Sequence, residues 1–251
     1  MNKSTYPTAV LLREDGPREG FQMLADFIPT HRKLALISAL AETGISSVEV
    51  TSFVRPDLVP QHADAEEVAA GLAPRTGVRY RALYLNSKGL ERACKFSNLS
   101  PEGSIMIATS GEFLRRNNNQ SIDDSLNAIP EWLKKFASIG MKLERLMVST
   151  AFGYEAEGRF TAEQTLTLVQ NAIDRITAAG CSLPEITFAD TTGYANPRSV
   201  EELVLGANTH WPNIAVGLHL HDTRGIGMAN VFAGLATGVS RFDCSVGGLG
   251  G

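Results

Sequence analysis

The stretch AAGCSLPEITFADT, residues 178–191, joins a helix-like segment to a β-rich run through one glycine, Gly180. A glycine just after a helix suits the left-handed conformation that ends many helices, and a strand can follow within a few residues. The β-rich run is short and apolar, and it closes on Asp190 and Thr191. The stretch therefore predicts a helix–glycine–strand unit with polar residues where its strand ends.

This order of elements recurs in three further stretches, at residues 41–53, 137–150 and 236–246. TAEQ at 161–164 has the pattern of a capping box, and Asn196 followed by Pro197 has the pattern of a helix start. Helical patterns separate most of the candidate strands, which lie at about 8–14, 46–52, 79–85, 103–109, 143–150, 185–191, 214–221 and 241–246.

Eight such units predict an α/β fold, the (β/α)8 TIM barrel with a parallel eight-stranded sheet, because roughly 250 residues is the usual length of one barrel. The strands are short apolar runs without strict alternation, as expected where both faces of a sheet are covered. A doubly wound open sheet is the main alternative, but no G-x-G-x-x-G pattern follows the first strand. No linker interrupts the chain, so residues 1–251 are predicted to form a single catalytic domain.

The composition narrows the class of protein. With 43% hydrophobic and 20% charged residues the chain is of ordinary globular type, and a formal charge of −4 provides no basic surface for nucleic acid. No apolar run is long enough to cross a membrane, and the N-terminus lacks a signal-peptide pattern. We therefore expect a cytoplasmic protein without nucleic-acid or membrane partners, with Cys94, Cys181 and Cys244 as reduced, buried thiols.

Polar and charged residues collect where the predicted strands end, which is where TIM barrels carry their active sites. Charge on a buried strand is costly unless it is paired or bound to something. The set predicts one polar site at the mouth of the barrel, formed by REDGPREGFQ (13–22), Glu49 and TSF (51–53), ATSGEF (108–113), STAFGYE (149–155), ADTTG (189–193), HLHD (219–222) and SVGGLGG (245–251).

The segment GLHLHDTRGIGMAN, residues 217–230, places two histidines on one predicted strand. His219 and His221 are two positions apart, so both side chains point to the same face. Together with a carboxylate from another strand, for which Glu19 is the candidate, they would suit a divalent metal. Alternatively, the two rings hydrogen-bond within the core. The other histidines are expected in ordinary helical or loop positions: His31, His62 and His210.

These motifs together resemble the DRE-TIM metallolyase family, and most closely its hydroxymethylglutaryl-CoA lyase branch, the HMGL-like or pyruvate carboxyltransferase-type domain. The likeness covers nearly the whole chain. It implies a TIM barrel, a divalent cation (Mg²⁺ or Mn²⁺), and the breaking or making of a carbon–carbon bond in an acyl-CoA or 2-oxo acid. It rests on EDGPREGFQ (14–22), SSVEVTSFV (46–54), NSKGLERA (86–93), SGEFLRRNNNQSIDDS (110–125), FADTTG (188–193), GLHLHDTRGIGMAN (217–230) and SVGGLGG (245–251).

The resemblance assigns roles by position. Arg18 matches the arginine that neutralises an enolate oxygen, Glu49 matches a carboxylate near it, and Asp190 matches the carboxylate placed for proton transfer. Gln22 and Asp222 match supporting groups around the site. For Glu49 and Asp190 an ion pair that ties strands together remains the alternative.

The same resemblance implies a metal site made by Glu19, His219 and His221. Lyases of this branch usually carry aspartate where this chain has Glu19, which changes the reach of the carboxylate but keeps oxygen ligation. In relatives a loop with a catalytic cysteine, an asparagine ligand and the last helix follow the equivalent of Gly251. We therefore expect the native chain to continue, and Cys244, which precedes GGLGG, is not assigned the role of that cysteine.

The implied reaction is a retro-Claisen cleavage of a 3-hydroxy-3-methylglutaryl-CoA-like substrate to acetyl-CoA and a keto acid. Asp190 or a histidine would accept the hydroxyl proton, and Arg18 would offset the developing negative charge. One alternative is a synthase that condenses an acyl-CoA with a 2-oxo acid, as isopropylmalate and homocitrate synthases do. Another is a catalytically inactive barrel that serves as a binding protein. We also expect a homo-oligomer, a dimer or tetramer.

Overall fold

The computed structural model describes residues 6–250, which form two compact units. The larger unit comprises residues 6–11 and 103–242, and the smaller unit comprises residues 12–102 and 243–250. Two strands, β1 (Leu11–Glu14) and β10 (Arg241–Cys244), contribute residues to both units.

The smaller unit is organised around β2 (Ser47–Ser52), which pairs in parallel with β1 and with β3 (Arg79–Leu83). Every residue of β2 is buried, so its charged member Glu49 lies out of water and needs a cationic partner. The apolar residues of β2 belong to one core cluster with residues of its helices. These helices are α1 (Thr30–Glu42), α2 (Ala65–Gly71) and α3 (Ser87–Ala93).

The larger unit contains four parallel strands, paired in the order β4 (Ser104–Ala108), β5 (Arg145–Ser149), β8 (Glu185–Asp190) and β9 (Ala215–Leu220). Because β8 and β9 are parallel, with Ala189 opposite His219, their carboxyl ends lie at the same edge. A short antiparallel hairpin joins β6 (Gly153–Tyr154) to β7 (Gly158–Arg159). The helices are α4 (Gly111–Asn118), α5 (Ile122–Asn127), α6 (Ile129–Ser138), α7 (Ala162–Ala178), α8 (Pro197–His210) and α9 (Gly227–Ala236).

The predicted elements are confirmed in detail. Each of the eight predicted strand segments contains one observed strand, and the hairpin β6–β7 is a pair of strands that the sequence patterns did not predict. Thr161 and Gln164 form the predicted capping box, and Asn196 caps α8 with Pro197 in its first turn. The glycines predicted to end helices have positive φ values, among them Gly180 at +74°.

The three cysteines are free thiols, but the prediction that they are buried is wrong. Cys94 is exposed, and Cys181 and Cys244 are half-buried. Cys94 directly follows the last residue of α3, where the helix end faces solvent. None of the helices in residues 6–250 is long and apolar enough to cross a membrane.

Candidate active site

Arg18 and Glu19 lie on a π-helical turn, Gly16–Gly20, that follows directly from β1. The amide nitrogens of Arg18 and Glu19 donate to the carbonyl oxygen of Asp15, at 3.0 and 2.8 Å. The Glu14 carboxylate accepts from the amide nitrogens of Gly16 at 2.7 Å and Val246 at 2.9 Å. A Cβ at position 16 would lie 2.5 Å from a Glu14 carboxylate oxygen, so a larger residue there would displace the carboxylate that accepts these two hydrogen bonds. Such π-turns are frequent at functional sites.

The guanidinium group of Arg18 is held by carboxylates of the smaller unit. Its Nε donates to Glu49 Oε2, and its Nη2 lies 3.3 Å from Glu19 Oε2. Burial lowers the pKa of Arg18, but Glu49, Glu19 and Asp15 together raise it above its ordinary value. The expected contact between Arg18 and Glu49 is therefore present, and Arg18 is charged at every pH at which the protein folds.

A second arginine, Arg81 of β3, was missed by the sequence analysis. Its side chain is only 1% exposed, and its nitrogens lie 2.7 Å from Asp15 Oδ1 and 3.6 Å from both Glu49 Oε1 and Glu102 Oε2. Its Nε also donates to the Ser47 hydroxyl at 2.7 Å. The signal was present in RYRAL, because a charged residue within a predicted buried strand needs partners. Arg81 lies near Glu49 Oε1, whereas Arg18 Nε donates to the other carboxylate oxygen, Oε2, so both arginines offset the buried charge of Glu49.

Asp15 has an unusual proton affinity. Burial raises its pKa to about 7, while the positive charge of Arg81 opposes the increase and Glu49 and Asp243 add to it. The carboxyl group therefore holds a proton more strongly than an ordinary aspartate and titrates near neutral pH. The charge balance around Arg18 and Arg81 changes with that proton.

In the larger unit, His219 and His221 come together at the end of β9. Their Nε2 atoms are 3.1 Å apart, and both rings are half-buried. Two ligands at right angles around one metal ion, each about 2.1 Å from it, stand about 3 Å apart. The spacing therefore suits both alternatives raised by the sequence: a hydrogen bond between the two rings, or two adjacent positions around a single divalent cation, for which neutral imidazole nitrogens are good ligands.

Asp190 ends β8 at the same edge. Its Oδ1 accepts two backbone hydrogen bonds, from Tyr194 N at 2.6 Å and Ala195 N at 3.0 Å. Its Oδ2 is buried and makes no hydrogen bond among residues 6–250. Burial raises the pKa of Asp190, and the two backbone N–H groups partly offset that increase. Asp190 is thus a fixed carboxylate with one oxygen available as a base.

Asp222 and Gln22, the two residues expected to support the site, differ in the hydrogen bonds of their side chains. Asp222 is exposed, and its carboxylate accepts from Gly227 N at 2.6 Å, which fixes the loop between β9 and α9. Gln22 is also exposed, and its side chain makes no hydrogen bond within the part of the chain that the structure describes. Their supporting roles stay predictions.

Cys244 at the end of β10 lies close to a carboxylate. Its sulfur is 3.6 Å from Glu14 Oε2. Burial and the negative charge of Glu14 raise the pKa of the thiol to about 12. A thiolate is therefore strongly disfavoured here, in agreement with the assignment of no nucleophilic role to this cysteine.

Comparison with known proteins gives a consistent result. Residues 9–251 match the HMGL-like family model. The chain is 35% identical over 246 residues to hydroxymethylglutaryl-CoA lyase YngG of Bacillus subtilis, covering 98% of this chain and 79% of the relative. A crystal structure of the Bacillus subtilis HMG-CoA lyase superposes with a TM-score of 0.88 at 34% identity, covering 98% of this chain and 80% of the other.

A further similar structure is an HMG-CoA lyase from Acinetobacter baumannii in complex with coenzyme A and 3-methylmalate. Its TM-score is 0.85 at 30% identity, with 100% of this chain and 78% of the other covered. These likenesses confirm the α/β fold class, the (β/α)8 barrel, that the eight strand–helix units predicted. By sequence and by fold, the chain belongs to the HMGL-like family.

Proposed function

We propose that this protein is a cation-dependent carbon–carbon lyase that cleaves a 3-hydroxy-3-methylglutaryl-CoA-like substrate to acetyl-CoA and a keto acid. The observation that carries the proposal is the burial of a permanently charged Arg18 among carboxylates on the turn after β1. Relatives at about 35% identity are named hydroxymethylglutaryl-CoA lyases, and a similar lyase binds coenzyme A, which supports an acyl-CoA substrate.

The role of Arg18 follows from its chemistry. Cleavage leaves an electron pair on the acetyl-CoA fragment, so negative charge develops on the thioester oxygen as the enolate forms. A guanidinium group offers several N–H donors in a plane and stabilises such an oxyanion. Glu49 holds Arg18 in place before the reaction, so little reorganisation is needed when the charge appears.

Asp190 is the proposed general base. It would take the proton from the C3 hydroxyl of the substrate; the O–H electron pair becomes the new carbonyl π bond, and the C2–C3 bond breaks. The electron pair of that bond passes to the acetyl-CoA enolate, whose C2 then takes up a proton. Asp190 Oδ2 makes no hydrogen bond among residues 6–250, and burial raises the pKa of the carboxyl group, which makes its ionised form a stronger base.

The proposed cation ligands are Glu19, His219 and His221, and Mg²⁺ or Mn²⁺ is the proposed ion. When bound, a divalent cation would lower the pKa of a hydroxyl oxygen and offset negative charge. The spacing of the two histidine Nε2 atoms supports their share in the site. Glu19 contributes oxygen, the ligand atom that both ions prefer.

Product analysis tests the proposed reaction. The purified protein, supplied with Mg²⁺ or Mn²⁺, should convert 3-hydroxy-3-methylglutaryl-CoA to equal amounts of acetyl-CoA and acetoacetate, detected by mass spectrometry. In the same assay acetyl-CoA and 2-oxoisovalerate or 2-oxoglutarate should remain unchanged. Condensation of acetyl-CoA with either oxo acid would show that the protein is a synthase and not a lyase. If neither cleavage nor condensation occurs, the protein is better explained as a binding protein.

Location and assembly are separate proposals. A cytoplasmic location and a homo-oligomer, a dimer or tetramer, stay predictions from the sequence. Cell fractionation and light scattering of the purified protein test them.

A further inference from the structure

His62 contacts the turn that carries Arg18 and Glu19. It lies at the end of the short 3₁₀ turn Pro60–His62, and its residue surface is only 2% exposed. Its Nε2 is 2.9 Å from the carbonyl oxygen of Arg18. That carbonyl belongs to the peptide group between Arg18 and Glu19, so His62 holds the peptide that joins the proposed oxyanion binder to a proposed metal ligand.

The chemistry of this contact fixes the tautomer of His62. A carbonyl oxygen only accepts, so the ring must carry its proton on Nε2. Burial lowers the pKa of His62 to about 4, and the positive charges of Lys33 and Arg18 act in the same direction, so the ring is neutral near pH 7. Nδ1 is buried without a hydrogen bond among residues 6–250. Within that part of the chain no acceptor therefore draws the ring proton to Nδ1.

The same peptide group is also held from its other side. The amide nitrogen of Glu19 donates to Asp15 O at 2.8 Å. The carbonyl oxygen of Arg18 accepts from Phe21 N as well as from His62. A peptide plane held at both its N–H and its C=O cannot rotate without breaking two or more hydrogen bonds.

His62 is itself rigidly supported. Lys33 is fully buried, and its Nζ donates to Gln61 O at 2.5 Å and lies 2.6 Å from Asp64 Oδ1. Thr30 Oγ1 adds a hydrogen bond to Asp64 Oδ2 at 2.8 Å. These contacts tie Gln61, which precedes His62, and Asp64, two residues after it, to α1, so the backbone on both sides of the imidazole is held.

We propose that His62 is a positioning residue, whose Nε2–H orients the Arg18–Glu19 peptide and thereby the two side chains on either side of it. The consequence for catalysis rests on the proposed function of Arg18 and Glu19. A misplacement of about 1 Å in a catalytic group can cost roughly 100-fold in rate, so a single buried hydrogen bond at this peptide is enough to matter.

Three variants of His62 test the proposal. Leucine removes the donor, asparagine keeps a polar side chain that is too short to reach Arg18, and glutamine places an amide N–H near the position of Nε2. We expect His62→Leu and His62→Asn to lower kcat by roughly 10- to 100-fold with KM changed less than about 2-fold. His62→Gln should recover most of kcat. If His62→Leu does not fold, the comparison of kcat between His62→Asn and His62→Gln still tests the proposal.

Gln61 provides the matched control. It neighbours His62 and is buried, and its side-chain amide donates to the carbonyl oxygens of Leu24 and Ala25 rather than to Arg18. Gln61→Met should lower the melting temperature without lowering kcat. A similar loss of kcat in Gln61→Met and His62→Asn would overturn the proposal, because the effect would then reflect general loosening.

Hydrogen exchange keeps the test separate from the proposed reaction. In wild type and His62→Gln the amide hydrogens of residues 18–20 should exchange slowly, and in His62→Asn roughly 10-fold faster or more. Unchanged exchange in His62→Asn would overturn the positioning role. If the wild-type protein cleaves no acyl-CoA, the proposed function fails, and the exchange data still decide whether His62 holds this peptide.

Discussion

Arg18 is the residue on which the proposed chemistry depends, since its charge is permanent and largely screened from water. Lysine at this position keeps the charge but loses the planar arrangement of donors. We expect Arg18→Lys to lower kcat by roughly 100-fold or more, with KM and the melting temperature changed far less. Arg198→Lys is the matched control, because Arg198 forms an exposed ion pair with Glu202 on α8. Near wild-type turnover in Arg18→Lys would remove Arg18 from the mechanism.

Asp190 supplies a prediction of pH dependence at the same scale. Burial raises its pKa, and only the ionised carboxylate accepts a proton, so kcat/KM should fall as pH drops through that raised pKa. Asp190→Asn should lower kcat by roughly 10²- to 10⁴-fold and abolish this acid limb. The measurement is a pH profile of kcat/KM for both proteins. An unchanged acid limb in Asp190→Asn would assign the titration to another group.

At the residue scale the sequence predicted some pairings and missed others. His219 and His221 could be paired because two positions along a strand share a face, and their observed contact follows from that rule. The ion pair of Arg81 with Asp15 and the hydrogen bond of His62 to Arg18 were missed because the two partners of each contact lie far apart in the chain. Such contacts depend on how strands and loops pack, which periodicity does not encode.

At the scale of single elements, helix caps were readable because they involve neighbours in the chain. Thr161 caps α7, and its hydroxyl accepts from Gln164 N at 3.2 Å. We expect Thr161→Ala to lower the free energy of unfolding by about 1 kcal/mol with no change in kcat, because one helix donor loses its acceptor. Urea denaturation measures this change.

Thr177 is the matched control for that cap, since it lies exposed within the same helix. Thr177→Ala should leave stability unchanged or raise it slightly, because alanine is the better helix former. An equal loss of stability in both variants would show that the capping bond contributes nothing.

The hairpin β6–β7 was missed at this scale because strands of two residues have no detectable period.

At the scale of the whole molecule, the strand–helix order was predictable because short-range signals recur along the chain. A glycine follows the helix in four stretches, and capping residues mark the start of α7 and α8. The proposed cation should bind the folded protein alone. At about 100 times its Kd, Mn²⁺ should therefore raise the free energy of unfolding by about 2.7 kcal/mol. The readout is the melting temperature with and without Mn²⁺. His219→Gln should lose this gain, and His210→Gln should keep it, because His210 lies exposed on α8. An equal gain in all three proteins would contradict cation binding at His219.

The central claim is that this protein is a cation-dependent carbon–carbon lyase, and the most direct test is the rate of acetyl-CoA release from 3-hydroxy-3-methylglutaryl-CoA. Protein stripped of metal with EDTA and dialysed should release no acetyl-CoA, and added Mg²⁺ or Mn²⁺ should restore release together with an equal amount of acetoacetate. The same additions should leave Arg18→Lys roughly 100-fold slower. Full activity in the stripped protein, or no release after either ion is restored, would contradict the claim.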